Sequence, residues 1–199
     1  MGDDHDSEEN LLPYDGEVFY HGGVFSGDEA EELFQRLSTT IAWQQEELVM
    51  FGKRRKLNRK VAWYGDDGLS YTYSGQEKEA ISWNEVLAGL KSRVEELSGS
   101  SYNACLCNFY HDGGDAMGWH SDDEKSIVPQ STIASLSFGA ERPFKFRHRQ
   151  GSETVKIMLE NGSLLLMQGA TQNNWKHALP KALRVKSPRI NLTFRKMVT

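Results

Sequence analysis

Arg189-Ile190-Asn191-Leu192-Thr193-Phe194-Arg195, close to the C-terminus, alternates polar and apolar residues without a break. Successive side chains on a β-strand point to opposite faces, so Ile190, Leu192 and Phe194 share one face, and Arg189, Asn191, Thr193 and Arg195 share the other. A purely structural strand rarely lines up two guanidiniums on one face, because each needs water or an anion. Upstream, His120-Ser121-Asp122 puts an imidazole and a carboxylate on one side of an extended segment, and His177 lies 55 residues beyond Asp122. Two His and one carboxylate are the ligand set that leaves positions open on a non-haem Fe(II). The pattern reads as an iron site beside a pocket for a dicarboxylate. The His-x-Asp pair alone says little, and the arginines after a later His give it weight. A structural zinc site would need closely spaced Cys and His pairs, which the chain lacks.

The 199 residues are read as one domain with a core of its own. The formal charge of -5 is unevenly spread: the first ten residues hold five of the 28 acids and no Lys or Arg, leaving 23 acids against 23 bases. Residues 1–12 are predicted to be a solvated, disordered acidic tail, and 13–199 the folded domain. No apolar run approaches the roughly 18 residues that span a membrane, and no signal peptide opens the chain. A soluble, intracellular monomer is expected, cytoplasmic in a bacterium and nuclear in a eukaryote. Cys105 and Cys107 lie on one strand face, a poor arrangement for a disulfide.

Ser26 to Glu29 forms a capping box, and Ala30, Leu33, Phe34 and Leu37 follow at helical spacing. Ser82 to Glu85 forms another, followed by Val86, Leu87, Leu90, Val94 and Leu97, with Gly99 closing the helix. From about residue 101 the period becomes two, with candidate strands at 101–110, 131–138, 143–149, 154–159, 163–168 and 188–196. Residues 49–75 read as less regular and outside the core. Helices followed by a run of strands predict a mainly β, α+β protein, a sandwich or jelly roll braced by helices. In the strand 101–110, Asn108 and Tyr110 share a face and could hydrogen-bond carboxylate oxygens that the arginines neutralise; a Tyr packed inward in a barrel would look the same.

Several ordered motifs resemble the AlkB family of Fe(II)/2-oxoglutarate-dependent nucleic-acid dealkylating dioxygenases, and most closely its animal-type homologues two and three. They are Met50-Phe51-Gly52-Lys53, Tyr64-Gly65-Asp66, Tyr71-Thr72-Tyr73-Ser74-Gly75, Asn108-Phe109-Tyr110, His120-Ser121-Asp122-Asp123-Glu124, Ser135-Leu136-Ser137-Phe138-Gly139-Ala140 and the Arg189–Arg195 strand. The resemblance covers roughly 47–197. It implies a double-stranded β-helix (jelly roll) core over 100–199, with an N-terminal helical extension and a nucleotide-recognition lid over about 45–80. It implies Fe(II) held by His120, Asp122 and His177, and 2-oxoglutarate held by Asn108, Tyr110, Arg189, Thr193 and Arg195, with Asn191 nearby. The implied reaction is oxidative demethylation of bases such as 1-methyladenine and 3-methylcytosine in DNA, releasing formaldehyde, succinate and CO2. A base inside a duplex must be flipped to reach such a pocket.

The basic run Lys53–Lys60, beside Tyr64, Tyr71 and Tyr73, is read as a phosphate-contacting part of the lid; a solvated loop or a nuclear localisation signal are the alternatives. Tyr71 and Tyr73 share a face suited to stacking on an extruded base. Phe51 is read as the aromatic that fills the gap left by that base, or else as a buried hairpin residue. The resemblance makes Asp123 a contact to the cationic methylated base. Lys145, Arg147 and Arg149 alternate with Phe144 and Phe146 as an outer basic face reaching for phosphates of the complementary strand. Met117-Gly118-Trp119 is closer to the single-strand-preferring relative, which leaves strandedness open. Alkylated DNA, duplex or single-stranded, is the expected partner. An RNA demethylase of the same chemistry, an oxygenase of proteins or small molecules, and a non-catalytic nucleic-acid-binding module are the competing readings.

Overall fold

The computed structural model describes residues 9–50, 53–73 and 76–199, and gives the backbone alone at 46–50, 53–55, 71–73 and 76–78. β1 (Glu17–His21) leads into α1 (Gly27–Thr40). β2 (Gln44–Met50) pairs with β3 (Lys53–Gly65), and β4 (Ser70–Tyr73) with β5 (Gln76–Glu79); β6 (Ile81–Ser82) precedes α2 (Glu85–Ser98). Next come β7 (Ala104–Tyr110), β8 (Met117–His120), β9 (Ile133–Gly139), β10 (Arg142–His148), β11 (Thr154–Leu159) and β12 (Ser163–Gln168). A single turn of helix, α3 (Thr171–Asn174), β13 (Trp175–Leu179) and β14 (Arg189–Arg195) complete the chain. Among the described residues the larger sheet runs β1-β12-β9-β14-β7-β3-β2, with β6 beside β3, and the smaller runs β11-β10-β13-β8. This is the expected mainly β jelly roll with flanking helices.

Period-two alternation gives the larger sheet two different faces. Cys105, Cys107, Ala134, Leu136, Phe138, Leu164, Leu166, Ile190, Leu192 and Phe194 point outward into one apolar cluster. There they meet Ala30, Phe34 and Leu37 of α1 and Val86, Leu87, Leu90 and Val94 of α2. Burying a Leu or Phe side chain contributes about 1.5–3 kcal/mol, so this outer layer carries most of the stability. Part of the inner face joins the smaller sheet through a second cluster that includes Val18, Ile133, Leu165, Phe146 and Trp175. The two cysteines are buried and free, with sulfurs 3.9 Å apart.

The Ser26–Glu29 capping box forms as predicted, and Gly99 ends α2 in the left-handed region with φ 64°. The start of α2 differs from the expectation. Its cap is Asn84, which accepts from the Leu87 N–H at 2.9 Å, whereas the Ser82 hydroxyl donates to Asp67 at 2.6 Å. Asn is as good a cap as Ser, and two residues nearer the helix it reaches the free amides.

Residues 49–75 are also more regular than predicted. β3 is 13 residues long, its second half from Lys60 to Gly65 pairs with β7, and Ala62, Trp63 and Tyr64 are buried. Tyr64 therefore belongs to the core, its hydroxyl accepting from the Ala42 N–H at 3.0 Å, and not to a lid surface. The basic residues at the start of β3 conceal the strand because only its second half meets the core.

The ordered chain also begins earlier than residue 13. Leu12 is buried in the second cluster, and the Asn10 side-chain oxygen accepts from the Leu12 and Val18 amides. Residues 1–8 of the expected tail lie outside the described residues. No helix among the described residues is long and apolar enough to cross a membrane.

The cap assignment is testable. Asn84→Ala should lower stability by about 1 kcal/mol in urea denaturation, and Ser82→Ala, whose hydroxyl makes an exposed contact, should cost clearly less.

Candidate active site

Strand pairing, not sequence proximity, assembles the metal-ligating group. β13 runs antiparallel to β8 with His177 directly opposite His120, and Asp122 follows two residues after β8 ends. The ligand atoms of His120, Asp122 and His177 all lie within 4.8 Å of one another. The two Nε2 atoms are 3.1 Å apart, and His120 Nε2 is 3.8 Å from Asp122 Oδ1. His120 Nδ1 lies 2.8 Å from the Gly118 carbonyl, which favours a proton there and leaves the Nε2 lone pair facing the group. Phe144 stacks on the His177 ring with centroids 5.4 Å apart, and the Asp122 amide donates to the Gln172 side chain at 2.9 Å. Two nitrogen lone pairs and a carboxylate converging at these distances repel one another unless a cation lies between them, so the donor set fits a divalent metal.

Electrostatics support that fit. Burial pushes the His177 imidazole down to about 4, so at neutral pH it is an uncharged donor. Burial works the other way on Asp122, but the Arg195 guanidinium at 2.8 Å and the two imidazoles outweigh it and hold the carboxyl below the ordinary range.

The inner faces of β7, β9 and β14 form the adjoining wall of the cleft. Asn108, Tyr110, Arg189, Asn191, Thr193 and Arg195 all line it, as the alternation predicted. Asn191 and Thr193 are already partnered: Thr193 Oγ1 donates to Asn191 Oδ1 at 3.0 Å, and Asn191 Nδ2 donates to Ser135 Oγ at 2.7 Å. Arg189 is different. It is buried, gives Nη2 to the Ser137 hydroxyl at 2.9 Å and lies 5.4 Å from the Tyr110 ring centroid. Burial, with Arg142 nearby, lowers its guanidinium to about 10, still charged at neutral pH.

No carboxylate pairs with Arg189 among the described residues, and its Nε, that of Arg195 and the Asn108 Oδ1 have no hydrogen-bond partner there. A buried cation in that state costs several kcal/mol. A small dicarboxylate would give Arg189 the anion it lacks.

Several residues in this region are not visible to pattern reading. Arg142 is 1% exposed, yet it donates to the carbonyls of Asp112 at 3.1 Å, Asp115 at 2.8 Å and Pro180 at 2.9 Å. It clamps the loop 111–116 that feeds β8. Gly113 packs against the same region so closely that a Cβ would lie 1.8 Å from the Ala182 carbonyl oxygen. Ser135, Ser137 and Gln172 are ordinary polar residues whose partners lie on distant strands.

Asp123 is exposed beside the site and pairs with Arg149 at 2.6 Å; Arg149 also donates to the Ser121 hydroxyl at 2.9 Å. That contact takes Arg149 out of the outer basic face expected for it. Phe51 lies outside the described residues, and Tyr71 and Tyr73 are given as backbone on β4.

A jelly roll that sets a two-His, one-carboxylate group beside a buried arginine with no carboxylate partner among the described residues defines an iron-dependent oxygenase using a 2-oxo dicarboxylate. The chain belongs to the 2OG-Fe(II) oxygenase superfamily, whose family profile matches residues 17–195, and within it to the AlkB family. It is a dioxygenase that uses Fe(II) and 2-oxoglutarate. It is 42% identical over 186 residues to the DNA oxidative demethylase ALKBH2 of Mus musculus, covering 88% of this chain and 78% of that protein. It is 40% identical over 188 residues to the human alpha-ketoglutarate-dependent dioxygenase alkB homolog 3, covering 89% and 65%. Among solved structures, that of OsALKBH1 has the same fold, with a TM-score of 0.64 at 18% identity over 90% of this chain and 97% of that one.

The clamp yields a prediction. Arg142→Met should cost on the order of 3 kcal/mol, because it removes charge-assisted bonds to buried carbonyls. Urea denaturation would measure the loss, and faster amide exchange across residues 111–116 would locate it.

Proposed function

We propose that this protein removes N-alkyl groups from bases in DNA by oxidation, on lesions of the 1-methyladenine and 3-methylcytosine type. The observation that carries the reading is the His120–Asp122–His177 group, its Asp122 and His177 buried, set against Arg189, a buried cation with no carboxylate of its own among the described residues. The similarity to relatives described as a DNA oxidative demethylase and an alkB-type dioxygenase supports the choice of substrate.

With Fe(II) bound, O2 would be the oxidant and 2-oxoglutarate the two-electron reductant: one oxygen atom would go to 2-oxoglutarate, giving succinate and CO2, and the other to the N-alkyl carbon, which would leave as formaldehyde. The chain's part is placement. His120, Asp122 and His177 hold the metal from one side. Arg189, with Tyr110 and Asn108, takes the distal carboxylate of 2-oxoglutarate, while Arg195 fixes Asp122 and sits near the end that meets the metal. Asn191 and Thr193 keep that wall rigid. Asp123 faces the substrate base, where its carboxylate matches the positive charge of a methylated ring.

Two surfaces suit a nucleic acid. The recognition lid lies within residues 45–80 but excludes the buried second half of β3; in it Tyr71 and Tyr73 stack on the extruded base and Phe51 fills the gap in the duplex. On the smaller sheet, Lys145 stands opposite Lys156, and Arg147 opposite Lys176. Like charges directly across a strand pair are destabilising, and among the described residues no acid forms an ion pair with these four. Phosphates of the complementary strand would relieve that repulsion. A second reading, a single-stranded substrate, is favoured by Trp119, which is 36% exposed with Arg147 4.5 Å above its ring. An exposed aromatic–arginine stack suits an unpaired base.

Formaldehyde release from a panel of methylated oligonucleotides tests the activity. His120→Ala, Asp122→Ala and His177→Ala should each abolish it without unfolding the protein. Arg189→Ala should weaken 2-oxoglutarate binding by on the order of 2–5 kcal/mol, with poor rescue by Lys because the planar fork is lost. Wild-type 2-oxoglutarate affinity in Arg189→Ala would move the pocket elsewhere.

Strandedness is tested at Phe51. An inserted aromatic recovers part of the cost of flipping, and a single strand leaves no gap to fill. Phe51→Ala should lower the ratio of duplex to single-strand rates at one fixed salt concentration, and an unchanged ratio would favour the single-strand reading.

A further inference from the structure

Arg59 belongs to the basic run Lys53–Lys60, but unlike Lys56 and Lys60 it is not at the surface: it is 5% exposed. Register explains this. β3 lies beside β7 with Lys60 opposite Phe109 and Val61 opposite Asn108, so Arg59 falls at the level of Tyr110. Ala62 and Tyr64 of β3 face the helices, so Arg59, Val61 and Trp63 share the inner face with Leu106, Asn108 and Tyr110. The guanidinium lies 5.9 Å from the Tyr110 ring centroid, the same ring that Arg189 approaches at 5.4 Å. Its Nη1 is 3.3 Å from Met117 Sδ and 3.5 Å from the Ala116 carbonyl. Tyr110 and Met117 both line the cleft, and Met117 opens the strand that ends in His120.

We propose that Arg59 is a positioning residue for the co-substrate pocket, holding the Tyr110 ring and Met117 from the side of the recognition hairpin instead of meeting a phosphate. The proposal rests on the reading of Tyr110 and Arg189 as 2-oxoglutarate residues. Its physical basis is burial. A guanidinium enclosed by an aromatic ring, a thioether and a carbonyl cannot release a condensed counterion, whereas an exposed Lys on the same strand can. Among the described side chains of the run, strand alternation therefore leaves Lys56 and Lys60 outward and Arg59 inward, where it serves the cleft.

Two binding measurements separate these roles in the Mn(II)-loaded protein without oxygen: calorimetric titration with 2-oxoglutarate, and the salt dependence of affinity for a methylated duplex oligonucleotide. Arg59→Met should weaken 2-oxoglutarate binding about tenfold or more, and Arg59→Lys should restore it only in part, because the planar fork is lost. The salt slope should stay at the wild-type value in both. Lys60→Ala should do the reverse, reducing the slope by about 0.9 while 2-oxoglutarate affinity is kept.

Wild-type 2-oxoglutarate affinity in Arg59→Met, or a slope reduced by about 0.9, overturns the proposal. Circular dichroism checks folding, and if Arg59→Met fails to fold, Arg59→Lys decides by the same two readouts. Arg189→Ala serves as the reference. If it too binds 2-oxoglutarate normally, the pocket reading falls and this proposal with it. If it binds weakly while the Arg59 variants bind normally, only the role of Arg59 is lost.

Discussion

The contact between Arg195 and Asp122, 2.8 Å long with both side chains almost wholly buried, joins the two sheets at the site. Arg195 comes from the central strand of the larger sheet, and Asp122 follows the edge strand of the smaller one. Neither charge could be buried alone without a cost of several kcal/mol. Together they bring the carboxylate into reach of His120 and His177. The arrangement holds the carboxylate beside the two imidazoles while Arg189, three pleat repeats away along the strand, is left for another anion. One arginine of this face is paired with a carboxylate and the other is not, and that asymmetry suits the cleft to an anion.

Such a polar inner wall is tolerable because stability is generated elsewhere. The outer face of the larger sheet is apolar strand by strand and is covered by α1 and α2. The inner face is then free to carry Asn, Ser, Thr and Arg, with a smaller apolar cluster sealing the far end of the sandwich. Hydrogen bonds from Thr193 to Asn191, from Asn191 to Ser135 and from Arg189 to Ser137 keep that wall rigid, so most of its polar atoms are answered within the protein. In the AlkB-type reading, the atoms left over are those that meet 2-oxoglutarate.

Around the cleft, arginines serve opposite purposes according to what surrounds them. Arg142 is as buried as Arg189, but its Nη atoms donate to three backbone carbonyls, so it clamps a loop. Arg149 is partly exposed and ties Asp123 to Ser121, setting the carboxylate next to the site. Arg147 lies on the outer face against Trp119. Residue type alone does not separate these roles; the neighbours do.

Alternation within single strands was readable from the chain itself. It divided Arg189, Asn191, Thr193 and Arg195 from Ile190, Leu192 and Phe194, and the capping box of α1 and the glycine after α2 were equally local signals. Period and capping act over a few residues, so no tertiary information is needed to see them. Strands that carry the chemistry were harder to read. β8 contains a glycine and ends in His120, and β13 turns His177 inward, so neither looks apolar enough to be a core strand. The start of β3 was hidden by its basic residues, and Arg59 and Tyr64 were assigned to a surface they do not occupy. What only the tertiary structure decided is which distant residues meet: His177 opposite His120, Arg195 on Asp122, Arg142 on the loop 111–116. Those contacts depend on strand register and sheet closure across tens of residues, and a buried polar side chain shows its purpose only when its partner is in place.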